Sequence, residues 1–168
     1  MKKLLILLAF IMACNVNIQA QELSEKEYRE QYRQTLDSIR VFVTKADIYC
    51  SGICNAWNEG IHNNTYKGKK VKDFNEAVTL AQTDMVSLWV KLISKSVKIQ
   101  KYIKQLNKYP ESMQPAFDEI LELGIKSDEL CRMALEPDGS YNSYSSKSKD
   151  LYNEIRKKLY ELEMRYTD

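Results

Sequence analysis

The sequence predicts an all-α fold, an antiparallel up-down-up-down four-helix bundle with a long first helix pair. Core-type side chains recur at spacings of three and four residues through four long segments, as they do on the buried face of a helix. Short stretches rich in helix breakers separate these segments, and no alternation of period two competes with them. Amphipathic helices on short connections favour an up-and-down bundle.

Residues 1–20 are predicted to be an export signal that does not belong to the fold. A basic start precedes the apolar run Leu4–Ala13, which has the length of a signal core and is too short to span a bilayer. Cleavage after Ala20 would release a soluble protein. Alternatively, the residues that end at Cys14 resemble a lipobox, which makes Cys14 a candidate lipidation site. Either way, we expect an exported chain, periplasmic or envelope-associated, with residues 21–168 as a single helical domain.

The charge balance argues against nucleic acid as a partner. The chain has 25 basic and 23 acidic side chains, and removal of the signal takes two lysines, so that 25 − 2 = 23 basic groups face 23 acidic ones. Phosphate binding needs a surplus of basic residues on one face. With 44% hydrophobic residues, the chain is expected to fold.

The first helix is predicted over Gln21–Asn64. Ser24 and Glu27 form a capping-box pattern at its start. Its predicted buried seam comprises Tyr28, Tyr32, Thr35, Ile39, Phe42, Ala46, Cys50, Ile53, Trp57 and Gly60.

A loop is expected over residues 63–72, and Asp73 is expected to cap a second helix that continues without interruption to a point before Pro110. Its predicted seam comprises Phe74, Val78, Ala81, Met85, Leu88, Leu92, Ser96, Ile99, Ile103 and Leu106.

Two shorter helices complete the predicted bundle. The third is expected from about Met113 to Glu136, and the fourth from Ser140 or Ser143 to about Tyr166. Their seams comprise Phe117, Ile120, Gly124, Ser127, Cys131 and Ala134 on the third helix, and Tyr144, Ser148, Leu151, Ile155, Leu159, Leu162 and Tyr166 on the fourth.

The difference in helix length predicts an interaction surface. If the four helices start level, the first pair extends beyond the second, and the apolar side chains at that end lack two of their four covers. We therefore expect partner contacts there, with Trp57 as the central residue. The candidate partner-binding residues are Trp57, Ile61, Phe74, Val78 and Tyr141.

The cysteines Cys50, Cys54 and Cys131 allow three interpretations. They could be buried free thiols, or Cys131 could form a disulfide with the first helix in an oxidising compartment. The third possibility is a small-ligand or metal carrier with its site in the bundle, since thiolates bind soft metals and zinc. Buried thiols are favoured, and no metal or cofactor is expected.

The supply of catalytic groups is small. His62 is the only histidine, which removes the most frequent general base and excludes a di-iron site with two Glu-x-x-His units. We find no Ser/His/acid arrangement and no glycine-rich phosphate loop, so an enzyme is less expected than a binding protein, and no catalytic residue is assigned.

Lysines concentrate in the predicted loop and along the second helix. They could bind an acidic ligand or an anionic membrane surface, but a solvated face balanced by acidic residues of the third helix is favoured. The lysines are Lys67, Lys69, Lys70, Lys72, Lys91, Lys95, Lys98, Lys101, Lys104 and Lys108.

Three short motifs carry a resemblance. Cys54–Trp57, Asp73–Ala77 and Glu136–Ser145 together resemble a group of uncharacterised exported, all-helical bacterial proteins with no known activity. The resemblance covers most of the chain after the signal. It implies a helical fold and export, and it assigns no site residues. The uncovered end near Trp57 and the small supply of catalytic groups predict the function, a non-catalytic interaction module of the envelope or periplasm that binds a protein or another envelope component, with membrane attachment only through lipidated Cys14.

Overall fold

The structure is a computed structural model that describes residues 23–167, and these residues form an all-α fold with one small hairpin. The predicted signal and Cys14 lie outside the described residues. Five α-helices occur within 23–167: α1 (Glu25–Asn63), α2 (Phe74–Asp84), α3 (Val86–Gln105), α4 (Gln114–Leu135) and α5 (Tyr141–Tyr166). Strands β1 (Thr65–Tyr66) and β2 (Lys69–Lys70) form the hairpin, and a 3-10 turn (Glu111–Met113) precedes α4.

Helix α1 is the element against which α2, α3, α4 and α5 all pack. Its start is fixed by the predicted capping box: the Glu27 amide donates to Ser24 Oγ (3.3 Å), and the Ser24 amide donates to Glu27 Oε2 (3.0 Å). It ends at Asn64, which takes the left-handed conformation with φ 50°. Every residue of the seam predicted for this helix is buried, so that prediction is confirmed.

The segment expected to be a loop contains an antiparallel hairpin. Thr65 pairs with Lys70, and the turn residues Lys67 and Gly68 both have positive φ, as a two-residue type I′ turn requires. The Tyr66 hydroxyl donates to Asp84 Oδ2 (3.0 Å), and Lys67 Nζ donates to the same oxygen (2.7 Å). These bonds hold the hairpin against the end of α2.

The second predicted helix is not continuous, and this part of the prediction is wrong. Met85 has φ −99° and ψ 12°, which takes the backbone off the helical path and separates α2 from α3. A β carbon on Gly52 of α1 would lie 2.6 Å from Met85 Sδ. The interruption between α2 and α3 therefore lies where the Met85 side chain fills the space beside Gly52 of α1.

Helices α4 and α5 agree with their predicted bounds. Pro115 lies in the first turn of α4, and Ser140 caps α5 by accepting a hydrogen bond from the Ser143 amide (3.3 Å). Gly139, with φ +88°, makes the turn between them. Helix α4 packs on α1, α3 and α5, and α5 packs on α1 and α4. The buried seam members of the two helices are Ile120, Ser127, Cys131, Ala134, Tyr144, Ser148, Ile155, Leu159 and Leu162.

The arm formed by α2 and α3 follows its predicted seam less closely. Ala81, Leu92 and Ile99 are buried as expected, but Phe74 is exposed. Within residues 23–167, no helix is both long enough and apolar enough to cross a membrane.

Candidate functional site

The end of the fold near Trp57 is covered, contrary to expectation. Trp57 is 7% exposed; its ring stacks on Phe74 at 6.2 Å between centroids and lies 5.7 Å from the ring of Tyr144. Tyr144 belongs to the first turn of α5, and its hydroxyl donates to the Met133 carbonyl (3.1 Å). Because α5 begins directly after the turn at Gly139, it reaches this end of α1, and the expectation of an uncovered Trp57 is wrong.

The other candidate partner-binding residues surround this covered tryptophan. Ile61 and Phe74 are exposed, whereas Val78 and Tyr141 are partly buried and pack against the core. The structure therefore brings Trp57 and Phe74 together in a packing contact and leaves only a narrow apolar rim on the surface. Binding of a partner at this rim stays a prediction.

The three cysteines among residues 23–167 are free thiols, and no disulfide joins them. Cys50 and Cys131 are buried and Cys54 is partly buried. Burial raises the pKa of Cys50 to about 11 and that of Cys131 to about 12, and it also raises the pKa of Cys54. Since the thiolate is the nucleophile and the metal ligand, these surroundings favour packing over chemistry.

The possible carrier site receives no support from the positions of metal-binding groups. Among residues 23–167, no group of three His, Cys, Asp or Glu side chains is placed to hold a metal ion. Glu59, which the sequence pairs with His62, instead accepts a hydrogen bond from the Lys67 amide (2.7 Å) in the hairpin.

A cavity of about 350 Å³ lies between α1 and α3 near their adjacent ends. Among residues 23–167, its walls include amide and hydroxyl side chains and a single ammonium group. Within the same residues, no carboxylate or imidazole lines the cavity to act as a general base. The lining side chains include Gln31, Gln34, Thr35, Tyr102, Gln105 and Lys108.

The largest departure from expectation is an exposed apolar row on α3, here called the α3 stripe. It consists of Val86, Trp89, Val90, Ile93 and Val97. Trp89 is 38% exposed, Val90 55% and Val97 61%, although all five are apolar. Their spacing of three and four residues places them on one face of the helix. Helix α3 buries a different face, which carries Leu92, Ile99 and Ile103.

Lysines adjoin the α3 stripe, and we call Lys91, Lys98, Lys101 and Lys104 the lysine flank. All four are exposed, and α3 contains no acidic residue. Lys91 and Lys98 each follow a valine of the stripe, and therefore project about 100° around the helix from it. Lys101 and Lys104 follow Val97 by four and seven residues and continue the face of the stripe.

The ion pairs do not show the expected charge balance between these lysines and the acidic residues of α4. Within residues 23–167, no acidic side chain forms an ion pair with the lysine flank. Glu119 of α4 instead contacts Lys158 (2.8 Å) and Arg165 (2.6 Å) of α5, and Glu122 contacts Lys126 (3.0 Å) on its own helix. The lysine flank therefore takes part in no ion pair, although the Asp128 carboxylate of α4 contacts α3 by accepting a hydrogen bond from Ser96 Oγ (3.0 Å).

The sequence contains a signal for the α3 stripe in addition to that for the predicted seam. Trp89 and its apolar neighbours repeat with the same period as the buried seam, but about 110° away from its centre around the helix. A helix with two apolar rows is expected to bury both or to leave one for a partner. The spacing of the residues alone does not predict whether the buried seam or the α3 stripe faces α1.

Comparison with known proteins gives no match to a family model, to a curated protein or to a solved structure. The resemblance to exported helical bacterial proteins therefore stays a prediction.

Proposed function

We propose that this chain is an exported, non-catalytic interaction module of the cell envelope or periplasm, and that it binds its partner through the outer face of α3. The observation that carries the proposal is the α3 stripe with its unpaired lysine flank. Monomeric proteins seldom leave a contiguous apolar patch of this kind exposed unless it contacts something. The proposal moves the expected contact surface from Trp57 to Trp89.

The fold suits a rigid support for such a surface. We propose that it is an antiparallel four-helix bundle, in which α2 and α3 form one arm bent at Met85 and pair with the long helix α1. In this arrangement α3 keeps Leu92, Ile99 and Ile103 on the core and turns Trp89 outward. Partner binding would then need no rearrangement of the helices.

The non-catalytic part of the proposal rests on the surroundings of the reactive groups. The buried thiols of Cys50 and Cys131 have raised pKa values, and Glu119 is engaged by Lys158 and Arg165 of α5. Groups of this kind stabilise a fold and are poorly placed to attack a substrate.

Fractionation of cells tests the proposal. For this test residues 1–20 are replaced by a cleavable signal without cysteine, so that no lipid anchor can hold the chain. The exported protein should sediment with isolated envelopes, and Val90→Glu should move it to the soluble fraction, because an ionised carboxylate on the stripe opposes burial of that face. Ile125→Glu is the matched control, since Ile125 is 57% exposed on α4 and Val90 is 55% exposed on α3. Equal sedimentation of the two variants and the wild type would contradict the proposal, as would a wild-type protein that never leaves the cytoplasm.

A further inference from the structure

We infer that the α3 stripe and the lysine flank bind the surface of an anionic lipid bilayer, an inference that rests on the proposed function and names its partner. A bilayer surface offers a negatively charged headgroup layer above an apolar interior. A helix that lies along it needs an apolar row on one side and basic residues beside that row.

The charge of α3 matches that requirement. The helix carries five lysines and no acidic residue, although the chain without its signal is about neutral. The exported protein therefore attracts an anionic surface through this face and not through its overall charge. Lysines near such a membrane contribute about 1 kcal/mol each.

The apolar row suits shallow insertion. Val86 to Val97 spans roughly 17 Å along the helix at 1.5 Å per residue, too short to cross a bilayer and long enough to lie in its interface. Trp89 lies in the first half of the row, and tryptophan favours the membrane–water interface because its ring is apolar and its indole N–H is polar. Within residues 23–167, no hydrogen bond occupies that N–H.

The start of the described chain lies at the lysine-rich end of the same helix. The Leu23 amide donates to the Lys108 carbonyl (3.2 Å), just after the end of α3. Residues 1–22, which include the candidate lipidation site Cys14, therefore join the fold beside Lys108. A lipid on Cys14 would add a membrane contact to that of the α3 stripe, and stable membrane anchoring requires two such contacts.

A second copy of the chain fits this face less well. Two α3 helices packed stripe to stripe would bring together two helices that each carry five lysines and no acidic residue, and like charges at an interface oppose association. A standard protein interface also buries about 800 Å² on each partner, which five partly exposed side chains on one helix cannot supply alone.

Vesicle binding tests the inference. The exported protein is mixed at low salt with vesicles of phosphatidylcholine alone or with phosphatidylglycerol added, and the bound fraction is measured by sedimentation. We expect binding to the phosphatidylglycerol vesicles, weakened by added salt because the lysines act through screened charge. Val90→Glu and the double substitution Lys91→Gln/Lys98→Gln should each weaken binding by roughly tenfold or more.

Matched controls remove the effects of the N-terminal segment and of general charge. Every variant has the same residues before Leu23, so the contribution of that segment is constant. Ile125→Glu and Lys147→Gln/Lys149→Gln make the same chemical changes at exposed sites on α4 and α5, and they should bind like the wild type. Circular dichroism checks that all variants are folded.

The possible failures are distinguishable. If envelopes capture the protein in a Val90-dependent way but pure lipid vesicles do not, the lipid inference is overturned and the proposed function stands. If sedimentation equilibrium without lipid gives a dimer that Val90→Glu dissociates, the occupant is a second copy and the lipid inference is overturned. If neither envelopes nor vesicles respond to Val90→Glu, both proposals fail.

Discussion

The α carbon of Phe74 lies 2.7 Å from the position that a β carbon on Gly60 would occupy. At this contact α1 and the start of α2 approach too closely for any side chain on Gly60, and the Ala77 β carbon lies 3.0 Å from the same point. Gly60 thus permits the short distance between α1 and the first turn of α2. The ring of Trp57 stacks on Phe74 at the same contact.

Substitution at this contact gives the first prediction. Gly60→Ala should destabilise the protein by about 1–3 kcal/mol, because the clash is with backbone and outweighs the gain in helix propensity. Gly52→Ala is the control: it has the same gain in propensity, but its β carbon meets the flexible side chain of Met85, so it should be close to neutral. Urea denaturation measures both values. Equal effects at the two glycines would contradict the assigned contact.

The second prediction concerns Glu119, which connects α4 to α5. Burial alone would raise the pKa of this carboxyl, but hydrogen bonds from Lys158 and Tyr166 and the charge of Arg165 outweigh burial and lower it. A lowered pKa in the folded state gives stability that is present above the ordinary value of 4.5 and is lost as the pH falls through the folded value.

Glu119→Gln should therefore lower the free energy of unfolding at neutral pH by roughly 1–2 kcal/mol and have a smaller effect in acid. Denaturation at neutral pH and well below 4.5 measures the difference. Glu122→Gln, which removes an exposed pair with Lys126 on one helix, should change stability much less than Glu119→Gln does. A Glu119→Gln effect that is the same at both pH values would count against the ion-pair account.

The third prediction uses two buried tyrosines with different hydroxyl surroundings. Among the described residues, the Tyr32 hydroxyl has no hydrogen-bond partner, whereas the Tyr144 hydroxyl donates to Met133. Tyr32→Phe should leave the free energy of unfolding unchanged or raise it by about 1 kcal/mol, since it removes an unsatisfied polar atom. Tyr144→Phe should lower it by about 1 kcal/mol. Thermal denaturation ranks the two, and the reverse order would refute the assignment.

The fourth prediction concerns thiol reactivity. Cys54 is only partly buried, whereas burial raises the pKa values of Cys50 and Cys131 to about 11 and about 12. In the folded protein at mildly alkaline pH, iodoacetamide should therefore modify Cys54 first and the other two only after unfolding, because the thiolate is the reactive form. Peptide mass spectrometry after timed alkylation identifies the modified sites. Early modification of Cys50 would show that its surroundings are more open than described.

The sequence predicted the parts of the fold that depend on one helix at a time. The α1 seam from Tyr28 to Gly60 follows from spacing alone, and the Ser24 and Asp73 caps follow from local hydrogen-bonding chemistry. The break at Met85 did not follow, because the apolar spacing continues through it, and in the fold it lies beside Gly52, which is distant in sequence.

The site was harder to predict for a related reason. Trp57 and Trp89 both lie in apolar rows, and which row is covered depends on where other helices begin and which face α3 turns to α1. The start of α5 places Tyr144 over Trp57, whereas the side chains of the α3 stripe stay between 37% and 61% exposed. Helix length alone predicts neither the contact of Tyr144 with Trp57 nor the exposure of the α3 stripe.

Trp89 fluorescence tests the central claim, that the outer face of α3 is the binding surface, most directly. Trp57→Phe leaves Trp89 as the only tryptophan, and the new ring can still pack between Phe74 and Tyr144. We predict that phosphatidylglycerol vesicles shift the emission of Trp89 to shorter wavelength and protect it from acrylamide quenching. If the variant sediments with the vesicles while the emission and quenching of Trp89 stay unchanged, another face binds, and the claim is contradicted.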